Sequence, residues 1–158
     1  MTRKEKILPT FSMSGEKGKD QHWLINGSLD FAVIPAGTIP QIEENMPIRL
    51  PVGDKKYGAI HILEGHSHWV MKSQPNGCVA TLVHRKLSQS GRIFTTESSG
   101  KLALVMKLSP EAFMVLRRAP GCFSVTTLYS RPRAPDGVEL ARYMGNVWAT
   151  HPYVPTPL

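Results

Sequence analysis

The feature that most constrains this chain is the punctuation of its second half. Asn76-Gly77, a strong turn dipeptide, precedes three β-rich runs, Cys78 to Leu87, Arg92 to Thr96 and Leu102 to Leu108. Only Ser-Gln-Ser-Gly and Glu-Ser-Ser-Gly separate them. Short glycine-containing connections of this kind join antiparallel neighbours, because parallel strands need a long crossover. Ala112 to Arg118, behind Ser109-Pro-Glu, reads either as a helix with proline in its first turn or as a further strand, and Ala119-Pro-Gly-Cys breaks it either way. Phe123-Ser-Val-Thr-Thr-Leu-Tyr129 is the last clear strand.

Upstream, the apolar residues Ala59, Ile60, Ile62 and Leu63 fit a short helix over 57–66, with Gly65 its terminator. Leu29 to Pro35 is short, β-branched and bounded by Gly27 and Pro35, as an edge strand is, and Thr38-Ile-Pro-Gln-Ile opens a brief helical turn. The first twenty residues mix charge with Gly and Ser and read as a mobile arm. Helix first and a meander afterwards predicts an α+β domain, an N-terminal helix packed on a four-stranded antiparallel β-sheet. The expected divisions are an arm and accessory segment at 1–47, the α+β domain at 48–145, and a proline-rich tail at 146–158.

With 158 residues, 41% of them hydrophobic, the chain holds enough apolar material for one core, which excludes a disordered tail. No window approaches ~18 consecutive apolar residues. The N-terminus leads into Pro9 without an apolar stretch, so the sequence predicts a soluble chain lacking a span or secretory signal, acting in the cytoplasm of its own or a target cell. Cys78 and Cys122, too far apart for a zinc knuckle, are expected as buried thiols. The net charge of +7 is uneven: residues 1–50 are neutral, 51–133 carry +8, and the remainder carries −1. A positive field concentrated in one segment suits a polyanion, since each neutralised phosphate releases counterions.

Three of the six histidines, His61, His66 and His68, fall within eight residues inside that basic segment. Histidine titrates near neutrality, so a pair can take a proton from one oxygen and deliver one to another, as phosphodiester transfer requires. On a regular helix His61 and His66 lie about 140° apart, so they converge only if Gly65 ends the helix. A histidine holding the helix end or packed under the sheet is the plainer alternative. A metal site built from these three and Glu64 competes, but the His-Glu-x-x-His spacing is absent. Thr127 and Tyr129, two apart on a strand, share one face with Phe123 and Val125 and offer hydroxyls to a ligand. Arg85, Lys86 and Arg92 lie on the first hairpin, as phosphate contacts or solvated edge charges.

Gly58-Ala-Ile-His61-Ile-Leu-Glu-Gly-His66 resembles the Gly-x-x-His-Ile-x-x-x-His helix of the barnase, EndoU, colicin E5/D and RelE group of toxin nucleases, particularly its phage-associated branch. Arg92-Ile-Phe and the strand ending Thr127-Leu-Tyr129 are similar to that group's later strands. The resemblance covers residues 48 to 130. It implies a metal-independent endoribonuclease without cofactor, cleaving RNA through 2′-hydroxyl attack to a 2′,3′-cyclic phosphate and restrained by an immunity or antitoxin protein, which the charge makes acidic. It places His61 and His66 at the histidine positions, Arg85 or Lys86 at the basic position, and Thr127 with Tyr129 at the terminal pair. Lys55, Lys56, His68, Arg92 and Lys101 are the expected RNA contacts, with tRNA, rRNA and mRNA all open as substrates. A basic RNA-binding module without catalysis, stacking bases on Phe94, Tyr129 and Trp69, and a histidine-ligated metal hydrolase are the alternatives.

Overall fold

The computed structural model describes residues 9–18, 20–95, 103–108, 111–131 and 137–145. Four strands come first: β1 (Phe11–Met13), β2 (Trp23–Ile25), β3 (Asp30–Ile34) and β4 (Met46–Arg49). Three consecutive helices follow, α1 (Gly58–Gly65), α2 (Ser67–Ser73) and α3 (Val79–Leu87). Five strands close the series: β5 (Gly91–Thr95), β6 (Ala103–Leu108), β7 (Ala112–Ala119), β8 (Cys122–Ser130) and β9 (Val138–Tyr143). β1 and β2 form a small ribbon, and the other seven strands form one strongly curled half-barrel in the order β3-β4-β8-β7-β6-β5-β9. All neighbours run antiparallel except β4 and β8.

This corrects the expected fold: the sheet has seven strands and is mixed, and the helices are central (residues 58–87) rather than N-terminal. Two segments, one misread and one left open, account for much of the difference. Cys78 to Leu87 is β-branched enough to read as a strand, yet its buried positions Val79, Ala80, Leu82, Val83, Lys86 and Leu87 follow the three-to-four spacing of a helix. Its last turn holds His84, Arg85 and Lys86, where cations meet the free carbonyls of the helix end. Ala112 to Arg118, left open between helix and strand, pairs with β6 from Ala112–Leu108 to Arg117–Ala103 and so is a strand. β4 had no counterpart in the sequence reading. β3 does lie at one edge of the sheet, although all five of its residues are buried. Phe11–Met13, within the segment read as an arm, pairs with β2. Thr38 and its neighbours make turns, closed by Ile42 N–H donating to the Ile39 carbonyl. Lys101 and the tail from 146 lie outside the described residues.

The helices cover one face of the sheet. Ile62, Val70, Leu82 and Leu87 pack there with Met106, Met114, Leu116 and Leu128, all buried. Each such side chain contributes about 1.5–3 kcal/mol by leaving water. The Arg49 guanidinium meets the fully buried Asp30 carboxylate at 2.9 Å across β3 and β4, which compensates a charge that could not otherwise be buried. Tyr143 is buried under α3 and donates its hydroxyl to the Leu87 carbonyl, tying β9 to the helix end. Cys122 is buried and Cys78 half-buried, both as free thiols. Among the described residues, no helix is long and apolar enough to cross a membrane.

Two irregularities place the functional side chains. β4 pairs with β8 only at Ile48–Phe123 and Arg49–Ser124, and α1 packs against β8. β8 also bulges: Leu116 pairs with Val125 and Val115 with Thr127, so Thr126 is the extra residue. An extra residue inverts the two-residue alternation. Phe123 and Val125 therefore face the helices in the main core, while Tyr129 packs with Phe113 and Val115 in a small cluster on the other face. The expectation that all four of Phe123, Val125, Thr127 and Tyr129 share a face fails at this bulge.

Candidate active site

The loop before α1 is built from backbone contacts. Gly53 and Gly58 both have left-handed backbones, at φ 72° and 79°, and a Cβ on Gly53 would overlap the Tyr57 carbonyl oxygen. A Cβ on Gly58 would sit 2.7 Å from the Pro51 carbonyl oxygen. That carbonyl accepts the Ala59 N–H at 3.0 Å, and the Asp54 side chain accepts the Lys56 N–H at 2.7 Å. The loop so formed turns the Lys55 carbonyl toward α1, where it lies 2.8 Å from His61 Nδ1. An N–H at Nδ1 donates to that carbonyl, which leaves Nε2 of His61 as the nitrogen for proton exchange.

α1 ends at Gly65, with the His66 N–H donating to the Ile62 carbonyl at 3.1 Å and His66 itself non-helical at φ −134°, ψ 32°. The break brings the rings of His61 and His66 to a centroid separation of 5.8 Å, nearly perpendicular at 88°. The other side of His66 stacks on Tyr129 at 5.4 Å and 28°. Partial burial lowers the His66 pKa below its ordinary value, and the neighbouring His61 lowers it further. His66 is thus biased toward the neutral imidazole, the form that accepts a proton.

His66, Tyr129, His68, Trp69 and Ser130 line an open cleft of about 400 Å³. A second hollow of about 320 Å³ continues past Trp69 and Ser130 to Lys72, Lys86 and Glu111. Lys86 is 7% exposed, and burial, with Arg85 beside it, lowers its pKa. Arg85 points elsewhere, its Nη1 donating to the Ser73 carbonyl at 2.8 Å and to Gln74 Oε1 at 2.6 Å. Of the two candidates for the basic position, Lys86 lines the hollow beside the cleft. The two lie on helix α3 rather than on a hairpin strand, so as neighbours they point about 100° apart.

The remaining candidates are dispersed. Arg92 lies on β5, three strands from β8 and so about 14 Å across the sheet, paired with Glu139 at 3.4 Å. Lys55 and Lys56 are exposed on the loop beneath His61, with the Lys55 carbonyl as the contact. Thr127 is not among the residues lining the cleft, and its Oγ1 is buried and, among the described residues, has no hydrogen-bond partner. Thr127→Val is therefore expected to leave activity unchanged and the melting temperature unchanged or raised, since it removes an unsatisfied buried hydroxyl. Tyr129→Phe keeps the stacking and tests the hydroxyl alone, with activity expected to fall at constant Tm. A loss of activity in Thr127→Val would place that hydroxyl in contact with substrate.

Among the described residues, no three His, Cys, Asp or Glu side chains gather as a metal-holding group. Sequence reasoning passed over Lys72, Ser130 and Glu111 as site residues and used Trp69 only as a stacking surface. His66, Trp69 and Lys72 recur at intervals of three, a spacing that would have marked one face of α2 had Ser67–Ser73 been read as a helix. Comparison with protein-family models, with curated proteins and with solved structures finds no match to this chain.

Proposed function

We propose that the chain is a metal-independent endoribonuclease of toxin type, akin to the nuclease group its histidine helix resembles. The observation that carries this reading is the perpendicular His61–His66 pair, one ring held by a backbone carbonyl and the other stacked on Tyr129. Two imidazoles in such proximity bring a proton acceptor and a proton donor to one phosphodiester. His66 takes the proton of a ribose 2′-hydroxyl, and the resulting alkoxide attacks the adjacent phosphorus. His61, through Nε2–H, protonates the departing 5′-oxygen, leaving a 2′,3′-cyclic phosphate. Lys86, from the adjoining hollow, adds positive potential toward the charge that develops on the phosphorane, and the Tyr129 hydroxyl orients a phosphate oxygen. Only RNA supplies the internal nucleophile.

A diffusible nuclease of this kind needs restraint, and the +8 of residues 51–133 favours an acidic immunity or antitoxin protein that covers the cleft and associates more slowly as salt rises. The test is incubation of total RNA, tRNA included, with the protein in the presence and absence of EDTA. EDTA-resistant cleavage with cyclic-phosphate ends is the expected result. Cleavage abolished by EDTA would support a histidine-ligated metal hydrolase instead, and retention of RNA without cleavage would support a binding module.

A further inference from the structure

Resting on the ribonuclease reading, we propose that the hollow from Trp69 to Lys86 is a second nucleotide subsite, holding the nucleotide next to the scissile step. Its base lies against the Trp69 indole and its phosphate between the ammonium groups of Lys72 and Lys86. Four observations carry this. The hollow shares Trp69 and Ser130 with the histidine cleft, so the two adjoin at these residues and a strand occupying one is next to the other. Its volume, about 320 Å³, lies within the ~300–1,000 Å³ of ordinary small-ligand sites. Trp69 is half-buried and packs against the main core, so the indole is held in place before any base arrives. Lys72 lies one helical turn beyond Trp69 on α2, and Lys86 comes from α3, so the hollow is lined by cations from two elements.

The wall also holds the Glu111 carboxylate. A carboxylate repels phosphate and accepts hydrogen bonds, so it orders the occupant: phosphate toward the lysines, the donor groups of base or ribose toward Glu111. A simple anion hole would have no use for it, whereas a nucleotide has both ends. Stacking contributes about 1–3 kcal/mol per base, roughly 5- to 150-fold in affinity, and is tolerant of sequence.

The experiment compares binding of two fully 2′-O-methylated RNAs, a dinucleotide and a pentanucleotide, to the intact protein. Without a free 2′-hydroxyl neither can be cut, so the readout is independent of catalysis. Lys72→Glu is expected to weaken pentanucleotide binding at least fivefold while changing dinucleotide binding less than twofold; Trp69→Ala, at a residue that also lines the histidine cleft, is expected to weaken both, the pentanucleotide at least fivefold more. Lys72→Ala should make the dependence of log K on log salt shallower by about 0.7. Lys72 is exposed on α2, so its variants are expected to fold even if Trp69→Ala does not. Equal effects on both RNAs, no effect on either, or no binding of the pentanucleotide by the parent protein would overturn the proposal. Failure of the ribonuclease reading shows separately, as intact unmodified RNA after incubation.

Discussion

His66→Ala is expected to reduce RNA cleavage by about 10²-fold or more, with the fold retained, because it removes a positioned proton acceptor and leaves the rest of the cleft in place. His61→Ala should fall comparably, since acid and base act on one displacement. The pH profile separates this from loss of shape. Burial and the neighbouring His61 both hold the His66 pKa below its ordinary value. The imidazole must be neutral to accept the proton, so kcat/KM rises with pH through a limb whose midpoint lies below ~6.5. Activity is low beneath that limb, where the ring is protonated, and rises through it. In His66→Ala the residual activity should lack that rise. A variant that cuts RNA at the parental rate, or keeps the same acidic limb, would remove His66 from the chemistry.

The largest stability effect is expected at a position with no chemistry of its own. Gly53 has φ 72°, and a Cβ there would overlap the Tyr57 carbonyl oxygen, a backbone atom that cannot swing aside. Gly53→Ala combines left-handed strain with overpacking, about 2–5 kcal/mol in all, a fall in Tm of roughly 5–15 °C. Gly37 provides the control: its φ is 77°, but a Cβ there meets nothing within 4 Å. Gly37→Ala should therefore show the conformational term alone, about 1–2 kcal/mol. Since the same loop carries the Lys55 carbonyl to His61, the surviving folded fraction of Gly53→Ala should also show reduced cleavage. Equal melting temperatures for the two variants would mean that the close approach of Gly53 to Tyr57 does not govern stability.

Gly58 shows how a motif and its physical cause can be separated. The glycine three residues before His61 was legible as part of a pattern, but its reason, a left-handed backbone on which a Cβ would sit 2.7 Å from the Pro51 carbonyl oxygen, lies in a loop that sequence periodicity does not describe. The convergence of His61 and His66 was legible as a condition, that Gly65 must end the helix, and α1 does end there. What the helix end could not reveal was the third ring, because Tyr129 comes from β8, sixty-three residues beyond His66. The choice between Arg85 and Lys86 was out of reach while Cys78 to Leu87 was read as a strand. On a helix, one neighbour turns back to α2 and the other lines the hollow beside the cleft.

Local information in the chain was sufficient for the α+β class, the short helix over 57–66, strands near 92–96, 102–108 and 123–129, and a histidine cluster inside a basic segment. These follow from side-chain period, turn dipeptides and charge, all of which act within a few residues. Only the tertiary structure decided that β3 and β4 join the later strands in one seven-stranded sheet, that Cys78 to Leu87 is helical, and that Arg92 stands three strands from the cleft. It also decided that the bulge at Thr126 turns Tyr129 away from Phe123 and toward Phe113. Strand order and register are set by which faces bury each other across long stretches of chain. One extra residue in β8 reverses every side chain beyond it, with no mark in the alternation itself.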